Sequence, residues 1–258
     1  MNTLDSLWAI RCTWLRYFDV FRKSLFYYAI TSLAEPILSL LAFGLGVGGL
    51  VGKLHVHGAE ISYRRFIFAG IVGQTVLFQG FFETAYGSYI RMYYQKIFQS
   101  MATTPITLSE VLWGELIWDA TRGAMAASIV VLIGTITGDF SRYSILTTLP
   151  LVFISTMLFS ALGLWVAAIS KTIEQISYPQ YLVVIPMFLF CGVFYPLETL
   201  PHALQLVAWA FPLTAVTSLV RTLTLGFPFQ PQAVPILVFW WVALVYISRR
   251  AMLRRLIK

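Results

Sequence analysis

The chain has 258 residues, of which 59% are hydrophobic and 11% charged, with a formal net charge of +7. Soluble domains carry about 25% charged residues, so this composition excludes a soluble globular enzyme and implies a polytopic membrane protein. The basic residues stand between apolar runs instead of forming one patch, so membrane topology explains the charge and no nucleic-acid partner is expected.

Residues 1–23 mix Leu7, Trp8, Leu15, Phe18 and Phe21 with Arg11, Arg16, Asp19 and Arg22 at roughly helical spacing. That pattern predicts an amphipathic helix floating in the cytoplasmic interface plane, its aromatics at headgroup level. Arg11, Arg16, Arg22 and Lys23 interrupt the segment before any apolar run, so it is not expected to be a cleavable signal peptide. The first span is predicted at 25–50. It carries Glu35-Pro36 and ends in GLGVGGLVG, which lacks the GK[ST] ending of a phosphate loop and follows no strand.

Residues 53–65 read as a short polar loop. His55 and His57 lie there, but no third ligand is nearby and no metal is expected. The second span is placed at 66–90, with Gln74, Gln79 and Glu83, followed by a basic and aromatic connector at 91–107. The third span, 112–136, opens with Glu110, Glu115, Asp119 and Arg122. Glu115, Asp119 and Arg122 fall on one helical face, where Arg122 can pair with Asp119. Together with Glu35 and Glu83 they form a candidate intramembrane polar network, since charges at that depth must face protein or water. A charge-free fourth span follows at 145–169.

The stretch 178–226 is the most informative. An apolar run from Tyr181 to Tyr195 meets Pro196, Glu198, Pro201 and His202, and a second apolar run is cut by Pro212. Each half is short of the about 20 residues needed to cross a bilayer. A re-entrant hairpin at 196–230 that serves as a gate fits this pattern, with Tyr195, Pro196, Glu198, Pro201 and Pro212 as its key positions, because broken backbone at membrane depth lines protein or a water-filled route. One kinked helix followed by an amphipathic surface helix is the other reading. The last span begins at Val234 and a basic tail occupies 251–258.

These assignments give an all-α fold of six transmembrane segments, with the membrane domain at 24–250. Arg11, Arg16, Arg22, Lys23, Arg91, Lys96, Lys171, Arg249, Arg250, Arg254, Arg255 and Lys258 fall on one side, against Lys53, Arg64, Arg65, Arg142 and Arg221 on the other. The positive-inside rule then places both termini in the cytoplasm. Cys12 and Cys191 fall at different depths, so no disulfide is expected. No nucleophile motif surrounds His55, His57 or His202, and no catalytic residue is expected.

The runs YRRFIFAGIVGQTVLFQGFFETAYGSYIRM (63–92), MATTPITLSEVLWGEL (101–116), FCGVFYPLETLP (190–201) and FPLTAVTSLVR (211–221) resemble the permease subunit of exporter-type ABC transporters. The resemblance is closest to the NodJ subfamily of nodulation-factor exporters, near O-antigen and drug export permeases, and covers nearly the whole chain. It implies a homodimer in the bacterial inner membrane, working with two copies of a cytosolic ATPase that binds ATP and Mg, while this chain itself holds no cofactor. It also implies a coupling helix seated on the ATPase at 91–104, with Arg91, Tyr94, Lys96, Phe98 and Thr104 as contacts. The expected activity is export of an amphipathic cargo, a lipid-linked or lipid-modified oligosaccharide. Drug efflux, a proton-coupled transporter using Glu35, Glu83 and Glu115, and a membrane-bound lipid-modifying enzyme are the competing readings.

Overall fold

The computed structural model describes residues 3–56 and 58–256. Helix α1 (Thr3–Lys23) buries Ala9, Thr13, Tyr17 and Phe21, a four-residue repeat that turns one stripe inward. The stripe does not float. Trp14, Tyr17, Phe18 and Phe21 close around Trp118, while Leu7 and Trp8 stay exposed on the opposite face. The aromatics expected at headgroup level are therefore divided between a buried anchor and an exposed face.

Helix α2 (Leu25–Ser39), a π-helical stretch (Leu40–Val47) and α3 (Gly48–Val51) form one apolar rod, Leu25–Val51, long enough to span. Pro36 lacks an N–H to give to the preceding turn, and the wider coil follows directly, where Gly44 and Gly46 tolerate it. Most of the rod is exposed, with Phe26, Leu38, Leu45 and Leu50 facing outward. The polar segment expected as a loop is instead an antiparallel hairpin. Its strands are β1 (Lys53–Val56) and β2 (Ala59–Ser62), with Lys53 opposite Ser62 and Val56 opposite Ala59.

Helix α4 (Tyr63–Tyr93) is the central column, buried along most of its length. Short α5 (Ile97–Ala102) follows, then α6 (Leu108–Ile136) and α7 (Ser144–Ile169), both packed on α4. The α4 and α7 backbones nearly touch. A Cβ on Gly80 would stand 2.8 Å from the Thr156 carbonyl oxygen, and one on Gly163 would stand 2.6 Å from that of Phe81. Only glycine allows this approach, the usual means of packing helices where lipid removes the hydrophobic drive. Helix α6 begins with a capping box, in which the Thr107 N–H donates to Glu110 Oε2 at 2.8 Å. Glu110 is spent on that cap.

Past α7 come a 3₁₀ turn (Ile173–Ile176), α8 (Ser177–Pro179), a π-helical stretch (Gln180–Val184) and α9 (Ile185–Phe190). This rod, 177–190, is shorter than the about 20 residues of a full crossing. The chain turns at Gly192, whose φ of +71° suits glycine, passes a 3₁₀ turn (Leu197–Thr199), and enters α10 (His202–Ala210) and α11 (Pro212–Leu225). These two helices meet at 93°. Pro212 at the first position of α11 fixes the corner, and α11 buries Leu213, Ala215, Val216 and Val220 completely.

The last helix, α12 (Ala233–Leu256), runs through the region expected as a separate tail. Arg255 donates from Nη1 to the carbonyls of Ala168 (2.7 Å), Ala167 (3.2 Å) and Ser170, closing the end of α7. Lys258 lies outside the described residues. Among the described residues, five helices are long and apolar enough to cross a membrane, or six if the bent α10 and α11 pair is one span. The protein is an all-α polytopic membrane protein with one small β-hairpin.

Candidate functional site

The α1, α4, α5 and α6 helices converge at one end of the bundle, where the connector turns. At Lys96 the backbone enters the left-handed region, with φ +53°. Its carbonyl accepts the Ser100 N–H at 3.0 Å to start α5. A non-glycine residue held there costs about 1 kcal/mol, so the turn is imposed by its surroundings. Phe98 is fully buried and fastens α5 to the core. Tyr94, Lys96 and Thr104 are exposed.

This division corrects the expected contact set. Tyr94, Lys96 and Thr104 are open to solvent, but Phe98 is not. Arg91 also turns inward: its Nε and Nη2 donate to Glu115 Oε1 at 3.0 and 2.7 Å, and its Nη2 lies 4.0 Å from Asp119 Oδ1.

The polar network is present, with different pairings from those read off helical spacing. Arg122 does not bond Asp119. It forms an ion pair with Glu83 of α4 and lies over the Tyr28 ring, 4.6 Å from its centre. Asp119 Oδ2 accepts the Thr84 hydroxyl at 2.8 Å, and Glu115 accepts the Ser88 hydroxyl as well as Arg91. Three carboxylates and two arginines are thus interleaved between α4 and α6. Glu35 stands apart, accepting from Gln74, which also donates to Ser39 at 3.1 Å. Gln79 and Arg122 reach Ser32 of α2, at 3.2 and 3.5 Å, and link the two groups.

Helix α1 closes this network from outside. Tyr17 lies under the Arg91 guanidinium, 5.3 Å from ring centre to Cζ. Burial, with the Glu115 carboxylate adding to it, pushes the Tyr17 phenol well above its ordinary range, so it stays neutral. Tyr17, Trp118, Glu83, Arg91 and Arg122 line a cavity of about 330 Å³ between α1 and the bundle. Neither Tyr17 nor Tyr28 was singled out in the sequence, because their role depends on which arginine comes to rest above them.

At the opposite end, the expected gate residues surround a break in the backbone. The Tyr195 hydroxyl donates to the Leu189 carbonyl at 2.8 Å, Pro196 and Glu198 shape the 3₁₀ turn, and Pro201 precedes α10. The residue holding this break is one that charge counting assigned only to the outer side of the membrane. Arg221 is buried, its Nη2 donates to the carbonyls of Gly192 and Val193, and its guanidinium lies 3.8 Å from the centre of the Phe66 ring. The only sequence signal was a single charge in the otherwise uncharged 212–225 stretch.

His55 lies on β1, 3.3 Å from Glu60, and His57 lies outside the described residues. Among the described residues, no group of three His, Cys, Asp or Glu side chains could hold a metal. The structure thus offers an ion-locked corner beneath an exposed connector, and a broken hairpin at the far end.

Comparison with known families decides what this architecture belongs to. The family model for the ABC-2 type transporter matches residues 9–225. The chain is a member of the ABC-2 type transporter family. It is 29% identical over 247 residues to Nodulation protein J of Rhizobium leguminosarum bv. trifolii, covering 95% of this chain and 93% of that protein. It is 29% identical over 221 residues to Nodulation protein J of Rhizobium meliloti (strain 1021), covering 86% and 83%. It is 24% identical over 220 residues to the inner membrane transport permease YadH of Escherichia coli (strain K12), covering 84% and 83%.

ABC-2 permeases are membrane transport subunits, and ATP hydrolysis is done by a separate ATPase subunit. This accounts for a chain with many apolar helices and no phosphate-loop lysine motif. It also implies a cytosolic ATPase partner for this ABC-2 permease.

Proposed function

We propose that this permease carries a lipid-linked or lipid-modified oligosaccharide across the bacterial inner membrane, as a homodimer driven by two copies of a cytosolic ATPase. The observation that carries the reading is end-to-end similarity to Nodulation protein J, spanning 95% of this chain and 93% of the relative. Both termini then face the cytoplasm, the side favoured by the Lys and Arg excess. ATP and Mg are bound by the partner and not by this chain.

In this mechanism the ATPase grips the exposed face of the connector, Tyr94, Lys96 and Thr104. Closure of the ATPases pushes α5. Buried Phe98 passes the push to the core, and the Arg91–Glu115 and Glu83–Arg122 pairs make α4 and α6 move as one body. The far end responds at the broken hairpin, where α11 is tied to the chain reversal through Arg221. The exposed face of the Leu25–Val51 rod is the surface available to the second protomer and to lipid.

The test is co-purification with a candidate partner ATPase, followed by ATP hydrolysis measurements in nanodiscs supplied with different lipids. Stimulation by glycolipids, and not by small hydrophobic drugs, is the expected result. Stimulation by the drugs alone supports efflux instead.

A further inference from the structure

We infer that the hairpin end of the bundle contains a binding site for a neutral sugar ring. The site is a cavity of about 230 Å³ where four segments meet: β1, the start of α4, the 197–209 region, and the end of α11 with the loop after it. This inference rests on the proposed glycolipid cargo and adds a place where its sugar part is recognised.

The lining has the chemistry that such a ligand requires. Trp209 supplies a flat apolar face against which the C–H side of a pyranose ring can lie, and Glu198, Gln205 and Gln230 supply polar groups for its hydroxyls. Binding pockets of this kind pair an apolar and aromatic wall with a few convergent polar groups. The Gln205 side-chain amide is already oriented, since its Nε2 donates to the Leu200 carbonyl at 2.8 Å, which leaves its oxygen to accept from a hydroxyl.

Arg221 provides the second, independent observation. It is buried at 6% exposure and lines the cavity, and among the described residues its Nε meets no acceptor. Among the described lining residues, one cation and one carboxylate, Arg221 and Glu198, face the same space. The opposed charges disfavour both anionic and cationic ligands and favour a polyhydroxylated neutral one.

The site lies on the export path in the proposed topology. The broken turn at Gly192 and Val193 is held by the same Arg221 that faces the cavity. A sugar arriving there touches the residue that fixes the hairpin, so binding and the hairpin's position are linked.

The experiment uses the full chain in lipid nanodiscs and saturation-transfer NMR with methyl glucoside and maltotriose, with glucuronate as the charged comparator. Transfer to the neutral sugars is expected to exceed transfer to glucuronate. It should fall at least about fivefold in Trp209→Ala and in Gln205→Leu, the size expected for removing a central contact. Arg221 is left unchanged because it holds the backbone, and circular dichroism confirms that each variant is folded. Absence of transfer, equal transfer in folded variants, or preference for glucuronate overturns the inference.

Glycolipid-stimulated ATP hydrolysis by the assembled complex is measured in parallel. Stimulation without any sugar transfer leaves the export reading standing and removes the pocket. Trp209-dependent transfer with no stimulation by any glycolipid does the reverse.

Discussion

Arg91 of α4 and Glu115 of α6 share a single carboxylate oxygen through two donors, at 3.0 and 2.7 Å, with Glu115 fully buried. Removing one partner of a buried pair leaves an uncompensated charge, at a cost of about 3–5 kcal/mol. Glu115→Ala should therefore sharply lower the thermal midpoint in detergent. The triple variant Arg91→Met, Glu115→Leu, Asp119→Asn should recover most of the loss, because Asp119, 4.0 Å from Arg91, is neutralised as well and no lone charge remains. Scanning fluorimetry on the three proteins checks this.

Phe98 and Tyr94 lie four residues apart but act differently. Phe98→Ala opens a cavity in the core and should cost about 3–5 kcal/mol. Tyr94→Ala removes a side chain that is 64% exposed and should change stability by no more than about 0.5 kcal/mol. Pull-down with the ATPase should show the reverse emphasis for Tyr94→Ala, with binding reduced while the fold is intact.

Lys96 separates charge from backbone geometry. Lys96→Gly removes the cation at a φ of +53°, where glycine is relaxed, so the turn should persist and stability should rise by up to about 1 kcal/mol. If Lys96 engages the ATPase, coupled ATP hydrolysis should nevertheless fall. An unchanged coupled rate would show that the turn matters and the charge does not.

The helix crossing of α4 and α7 tolerates no side chain. Gly163→Val places a branched group where even a Cβ would stand 2.6 Å from the Phe81 carbonyl oxygen. Overpacking typically costs about 1–3 kcal/mol, and more where the obstacle is backbone. The yield of monodisperse protein by size-exclusion chromatography should collapse, whereas Gly46→Ala, with nothing within 4 Å of its Cβ, should behave as wild type.

What the sequence revealed and what it withheld follow from the range of each interaction. Apolar runs are local, so the long helices and the short, broken segment before Gly192 could be read directly. Strands of four residues with mixed polarity leave almost no periodic signal, and the hairpin at 53–62 passed as a loop. Spacing along α6 offered Arg122 a partner on its own helix, yet Glu83 of α4 took it. The inward turn of Arg91 and Phe98 was not legible for one reason: composition gives a connector's position in sequence, while tertiary packing decides which of its side chains turn inward.

The central claim is that this permease has no energy source of its own and is moved by an ATPase gripping its inner connector. It is tested most directly in proteoliposomes containing the purified chain, with and without the partner ATPase, by following transfer of a fluorescent glycolipid. Transfer should require both ATPase and ATP and should be lost when Tyr94 and Lys96 are replaced together. Transfer by the chain alone, driven by a proton gradient, would contradict it.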